Sequence, residues 1–228
     1  MKHYSILTPD YLAQFKKTKL KKDKKTKCEY LNIEAAFDIE TTSLTVAGEK
    51  NAFMYIWMFG IGYGSDVFYG NTWDEFCECV EIVSDYFDLD NDRRLIVYVH
   101  NLGYEFQFMR RIFQWDGVFS ITERKPIKAL TTSGIEFRDS YILSAYSLAG
   151  TAKNLSKHKV KKMEGDLDYS LTRHYKTPLT EKEMGYCEND IVVILAYINE
   201  QIEQNKGNIT KIPLTNTGRV RQYVKDVS

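Results

Sequence analysis

No run of apolar residues in this 228-residue chain approaches the roughly 18 that a membrane-crossing helix needs. Met1–Asp10 also lacks the basic-then-apolar order of a secretion signal. Both absences argue against membrane insertion or export. Cysteine is scarce: Cys28, Cys77, Cys79 and Cys187 make no CxxC pair and no disulfide framework, which fits a reducing compartment. Cys77 and Cys79 lie two apart in a helical pattern, so they face different ways and do not suit zinc. There is no internal repeat and no linker of the kind that separates domains. Apolar material, in contrast, is plentiful. Hydrophobic residues make up 43% and aromatics 14%, enough to bury a substantial core and to exclude wholesale disorder. The length suits one large α/β domain.

Net charge is also missing, but only in the sum. The chain holds 31 Lys+Arg against 31 Asp+Glu. Residues 1–30 carry nine Lys against Asp10, Asp23 and Glu29, a local excess of six, so residues 31–228 are six negative. Eight of those lysines fall within Lys16–Lys27, opposed only by Asp23. Such a run is either a solvated, mobile segment or a phosphate-binding arm that gains affinity by releasing counterions from nucleic acid.

Along the rest of the chain, Tyr30–Ile39 reads as a strand entering the core, and Ala52–Gly62 and Asp66–Tyr69 as the next two, joined through a glycine turn at Gly62–Gly64. Thr72 caps a helix running to Phe87. Leu95–Val99 is a short strand leading into His100-Asn101, and Tyr104–Trp115 returns to helical period. Glu123–Asp139 reads as a hairpin breaking at Thr131–Gly134. Ser147–Ser156 and Thr180–Gln204 are helical, with Thr180 as N-cap and Glu181 and Glu183 in the first turn. Three opening strands followed by strand–helix alternation predict a mixed β-sheet flanked by helices.

Three places put carboxylates where such a fold can gather them. Asp38-Ile39-Glu40 lies at the end of the first strand, where residues two apart share a face. Glu105 follows the Leu95–Asn101 strand. Asp190 lies in the last long helix, with Tyr186 one turn earlier on the same face. Oxygen-rich side chains at element ends suit Mg²⁺ or Mn²⁺, and two such ions can act on a phosphodiester. Each fragment alone is unspecific: Tyr86…Asp90 repeats the Tyr-x-x-x-Asp spacing without any such context. Order and placement carry the weight.

The segments FDIETT (Phe37–Thr42), HNLGYEF (His100–Phe106) and YCEND (Tyr186–Asp190) resemble the three motifs of DEDD-type proofreading exonucleases of the Tyr-containing subgroup. The closer resemblance is to the exonuclease domain of bacteriophage protein-primed family B DNA polymerases. Gly165-Asp166-Leu167-Asp168-Tyr169 resembles a GDIDY-like segment between the second and third motifs, and Lys176-Thr177-Pro178 ahead of an acidic helix start follows the same order. The resemblance covers residues 31–207. It implies an RNase H-like α/β fold and 3′→5′ removal of nucleotides from single-stranded DNA ends. Carried over by position, Asp38, Glu40, Glu105 and Asp190 would bind two divalent cations, Mg²⁺ or Mn²⁺, and Tyr186 would orient the attacking water. Thr41, His100, Asn101, Phe108 and Tyr169 would contact the single-stranded 3′ end. For Phe108 helix packing is the alternative, and for His100 and Asn101 turn capping.

Two departures stand out. The second motif carries Glu105 where Asp is usual. A family lysine precedes the GDIDY-like segment directly, whereas here Glu164 takes that place and Lys161 and Lys162 lie just upstream; a small insertion places either one at the site, with Lys162 the preferred catalytic candidate. Palm motifs resembling DxxSLYP and YxDTDS are absent, so no polymerase activity is expected of this chain alone. The resemblance divides it into a basic N-terminal arm (1–30), an exonuclease domain (31–207) and an extension or link to a polymerase body (208–228). It implies a polymerase body and a terminal protein as partners, no membrane, and the cytoplasm of a phage-infected bacterium. The alternatives are a free-standing exoribonuclease and a catalytically weak module binding single strands or a replication partner.

Overall fold

The computed structural model describes residues 1–163, 167 and 171–227. The chain begins with a two-residue strand, β1 (Lys2–His3), and a short helix, α1 (Pro9–Leu12), capped by the Thr8 side chain. β2 (Leu20–Lys22) and β3 (Glu29–Leu31) pair as an antiparallel hairpin that carries lysines of the basic run. Two long strands follow, β4 (Ala35–Val46) and β5 (Glu49–Ile61), then β6 (Val67–Gly70) and α2 (Trp73–Phe87). β7 (Arg93–Val99) leads into α3 (Leu102–Met109), and β8 (Trp115–Thr122), β9 (Lys125–Thr131) and β10 (Ile135–Asp139) form a meander. Helices α4 (Ser140–Ser144), α5 (Leu148–Asn154), α6 (Glu181–Gln204) and α7 (Asn216–Val227) complete the order.

The main sheet runs β1-β6-β5-β4-β7-β10-β9-β8, with β3 joining β7 and β2 pairing β3. β4, β5 and β6 are successively antiparallel; β7 lies parallel to β4 and β10 parallel to β7. The fold is RNase H-like, a mixed sheet with helices on both faces. Side chains alternate across β4. Phe37 and Ile39 enter the core under α2, where Phe37 stacks on Phe76 with centroids 4.3 Å apart. Ala36 enters the core under α6 with Ile191, Ile194 and Leu195, and Asp38 and Glu40 share that face.

α6 sits unusually low on the sheet. A Cβ on Gly60 would lie 2.7 Å from Ile191 Cγ2 and 2.9 Å from Leu195 Cδ1. Gly60 is the register partner of Ala36. Two small cross-strand neighbours thus make the seat, and Ile191, fully buried in it, follows Asp190 directly. The caps expected at Thr72 and Thr180 both form, each completed as a capping box by Glu75 and Glu183. Gly62 and Gly64 take φ of +77° and +86°, the left-handed turn that glycine allows.

Four elements differ from expectation. The strand read as Tyr30–Ile39 is two, because the chain between β3 and β4 bonds to loops instead of β7: Asn32 binds the backbone of Gly207 and Ile209, and Glu34 that of Gly62 and Tyr63. β4 also runs on to Val46, so Asp38 and Glu40 lie within a strand and not at its end. The helix read as Tyr104–Trp115 stops at Met109, and Trp115 opens β8. Residues 1–30 are attached throughout: β1 pairs with β6, Leu7 and Leu12 are buried in the α2-side core, and the lysine hairpin is fastened to β7 through Glu29 and Tyr30.

Arg94 and Arg138 flank the fully buried Glu136, at 3.2 Å and 2.6 Å, and both guanidinium groups lie over the Tyr30 ring. Among the described residues no helix is long and apolar enough to cross a membrane. Leu12→Ala should destabilise the protein by about 2–5 kcal/mol, the usual cost of emptying a buried leucine site. Urea or thermal unfolding checks this, and a free-swinging N-terminal segment would instead show no loss.

Candidate active site

The register of the sheet brings the three acidic segments together. Parallel pairing sets Phe37 against Val99, so Asp38 and His100 leave adjacent strands side by side. Just beyond, the β4–β5 ladder shifts between Glu40 and Thr41, leaving Tyr55 as an extra residue on β5. Such a bulge bends and twists the strand locally. Tyr55 and Ile56 consequently both face the α6-side core, although they are adjacent in sequence. Asp38, Glu40 and Asp190 each offer a carboxylate oxygen, and these oxygens lie within 4.8 Å of one another. Glu105, in the first turn of α3, lies beside Asp38 and stands outside that tight group. Its Oε2 is buried with no hydrogen-bond partner among the described residues. Four convergent carboxylates, one with an orphaned buried oxygen, form the hard donor set that suits a divalent cation.

Of the two candidate lysines, Lys162 is the one that reaches this cluster. Its ammonium pairs with Asp190 Oδ1 and sits 3.9 Å from the centroid of the Tyr186 ring. Asn189 explains why. Its side chain donates to the Lys161 carbonyl (3.0 Å) and accepts from the Met163 N–H (2.7 Å), clamping residues 161–163 against α6. Tyr186, Asn189 and Asp190 thus act from one turn of a helix, and sequence reasoning had named only the outer two.

Residues read as strand contacts surround the carboxylates on α3 and β4. Thr41 Oγ1 and Tyr104 OH share a 2.6 Å hydrogen bond. Tyr104, 41% exposed, meets Phe108 edge-on at 5.2 Å. Phe108 is half-buried against the α2-side core, so it packs the helix and also borders the site. His100 Nδ1 lies 3.1 Å from Ser140 Oγ. Asn101 adopts left-handed geometry (φ 84°) and makes no side-chain cap, so the capping alternative fails for it. Tyr169 lies outside the described residues, as does most of the Gly165–Tyr169 segment.

Sequence reasoning missed two further groups. Asp139, at the end of β10, accepts the Ile142 N–H at 2.8 Å and the N–H groups of Asn101 and Leu102, so it fixes the start of α3 and hence Glu105. Arg173 is buried, pairs with Glu183 at 2.6 Å and donates its backbone N–H to Thr42 Oγ1. A carboxylate after a strand and an arginine before a helix cap are common features, and only the tertiary structure distinguishes these two.

The electrostatics follow from crowding like charges in a dry place. Burial, then Glu105, Glu40 and Asp190, push the Asp38 carboxyl well above its ordinary range. Burial and Asp190 raise Glu40 to about 7, with Lys162 and Arg173 pulling it back. Burial raises Glu105 to about 8. Burial lowers His100 to about 4, so its ring is neutral at physiological pH.

No protein-family model and no curated protein matches this sequence. Solved structures match its fold. Phi29 DNA polymerase in complex with single-stranded DNA superposes with a TM-score of 0.61 at 18% identity, over 86% of this chain and 35% of that one. The same polymerase with primer-template DNA and incoming nucleotide gives 0.59 at 18% identity, over 86% and 34%. The EXO domain of Aedes aegypti Nibbler gives 0.47 at 13% identity, over 89% and 88%. The chain spans about a third of the length of the polymerase structures it matches, and the likeness is one of fold.

Carboxylates whose folded pKa is raised favour the folded state below their unfolded values and lose that contribution as pH climbs through the folded ones. In chelator-treated buffer the melting temperature should therefore fall between about pH 4.5 and 8, the window set by Glu40 and Glu105. Asp38→Asn should raise it at pH 8, by about 2–4 °C per kcal/mol of repulsion removed. Mn²⁺ should stabilise the unaltered protein more at pH 8 than at pH 5. A flat, Mn²⁺-independent profile for both proteins would contradict this account.

Proposed function

We propose that this chain is a metal-dependent 3′→5′ exonuclease acting on single-stranded DNA ends, the proofreading part of a protein-primed DNA polymerase. The observation that carries the proposal is the convergence of Asp38, Glu40 and Asp190, with Glu105 beside them, on an RNase H-like sheet. Support comes from the motif order in the sequence and from a fold matched by a polymerase in complex with single-stranded DNA.

Asp38, Glu40, Glu105 and Asp190 would hold the two divalent cations, Mg²⁺ or Mn²⁺, which supply an acidified water and charge neutralisation at the phosphodiester. The remaining roles belong to the chain itself. Tyr186 lies one turn from Asp190 and orients the attacking water. Lys162, held by the Asn189 clamp, fixes the Tyr186 ring and places a positive charge beside the reacting phosphate. Thr41, bonded to Tyr104, and the edge-packed pair Tyr104 and Phe108 give the terminal bases a stacking surface. Neutral His100 and the uncapped Asn101 side chain offer polar contacts to sugar and phosphate, with Tyr169 assigned to the same task from sequence. A polymerase body and a terminal protein are the partners this reading entails.

Hydrolysis of a 5′-labelled single-stranded oligonucleotide in Mg²⁺ or Mn²⁺ tests the proposal. The unaltered protein should shorten it stepwise from the 3′ end, and Asp38→Ala should abolish shortening. Asn189→Ala, which releases Lys162 and leaves every carboxylate in place, should cost about 10- to 100-fold in activity, as loss of an outer-shell partner does. Digestion by Asp38→Ala at the unaltered rate would overturn the assignment. Faster shortening of an RNA strand of the same sequence would move the substrate from DNA to RNA.

A further inference from the structure

The lysines of the basic run are held in place and unneutralised. Lys16, Lys17, Lys19, Lys22, Lys24, Lys25 and Lys27 are exposed, and among the described residues no ion pair engages any of them. The single acid among them, Asp23, is half-buried and engaged within its own turn. Its Oδ1 accepts the N–H groups of Lys25 and Thr26 and lies against the Thr26 hydroxyl, shaping the turn between β2 and β3. Beside this hairpin lies an open groove of about 350 Å³. Phe15, Tyr86 and Phe87 give it an aromatic floor, Leu20 an aliphatic edge, and Lys16 and Arg93 a cationic rim. Acids also stand near the rim: Asp88 pairs with Arg93 at 3.5 Å, Asp90 accepts the N–H groups of Asp92 and Arg93, and Asp85 and Asp92 are exposed.

The groove is remote from the carboxylates. Arg93 opens β7 and Val99 closes it beside His100, so seven residues at about 3.3 Å each put roughly 20 Å between them. Phe87 and Leu31 belong to the α2-side core, whereas Asp38 and Glu40 face α6. A strand end seated at the carboxylates therefore does not lie in this groove at the same nucleotide.

We propose that the groove and the lysines of the β2–β3 hairpin form a second binding surface for single-stranded nucleic acid, separate from the carboxylate cluster. Lysines on an ordered hairpin, free of ion pairs among the described residues, supply the phosphate contacts. Aromatic rings at the groove floor supply stacking, which a folded duplex or an acidic peptide cannot use. This surface adds affinity and holds the substrate; it takes no part in hydrolysis.

Binding of a fluorescent dT20 strand by the full chain in EDTA, from 50 to 200 mM KCl, tests this whether or not the chain is a nuclease. The slope of log K against log salt should lose up to about 0.7 per lysine contact. Lys17→Gln/Lys19→Gln/Lys22→Gln/Lys25→Gln should accordingly bind ~10-fold or more weakly at low salt, by the same counterion release. Tyr86→Leu should weaken dT20 but leave an abasic strand of equal length unaffected. An unchanged slope in the quadruple variant overturns the proposal. So does equal affinity of the unaltered protein for dT20 and for the abasic strand or polyglutamate, a comparison that needs no variant to fold. Loss of hydrolysis with these results intact would sink only the exonuclease assignment.

Discussion

The low seat of α6 on the sheet is the constraint on which the rest depends. Had either Gly60 or Ala36 carried a larger side chain, Ile191 and Leu195 would stand further out, and Asp190 would lift away from the carboxylates of β4. Packing therefore places charge. The close fit of apolar groups under α6 brings three acids into one dry site, and apolar burial offsets their mutual repulsion. Removing the repulsion and removing the packing have opposite effects on stability, although both dismantle the same site.

Where the sequence was readable, a simple period or cap explains why. Asp38 and Glu40 share a face because strands alternate, and Tyr186 and Asp190 share one because four residues make about a turn of helix. Helix starts followed from Thr72 and Thr180. The failures have equally definite causes. The aromatic sequence from Tyr104 to Trp115 keeps a helical period past Met109 although the helix has ended, because Phe113 and Trp115 pack beside Phe137 on the sheet and Trp115 also against Phe106 of α3. β8 alternates over Phe119–Thr122, but nearly all of it is exposed on the last strand of the sheet, so the alternation marks no buried face. The lysine run looked detached because charge dominated its composition, while Leu7 and Leu12, its attachments, precede it.

The polar residues that organise the site were hidden for another reason. Asn189 works by holding residues 161–163, Asp139 by holding the start of α3, and Arg173 by bridging β4 and the start of α6. Each connects segments tens or more residues apart, and no local pattern announces such a link. Glu136 is of the same kind. Facing two guanidinium groups with Tyr30 beneath them, it ties β3, β7 and β10 together, so the platform for the lysine hairpin and the strand bearing Asp139 form one unit.

The formal neutrality of the chain takes on a different meaning once the poles are located. A positive hairpin and a negative pocket lie near opposite ends of β7, about 20 Å apart. That separation exceeds the Debye length of about 8 Å at physiological ionic strength, so neither pole cancels the field of the other at its own surface. Counted by formal charge the molecule has a dipole and no monopole, and the pocket's share of negative charge grows as Glu40 and Glu105 ionise through about pH 7 and 8. A polyanion approaching in solution exerts a torque on it before any contact forms, turning the lysine end forward and the acidic end back.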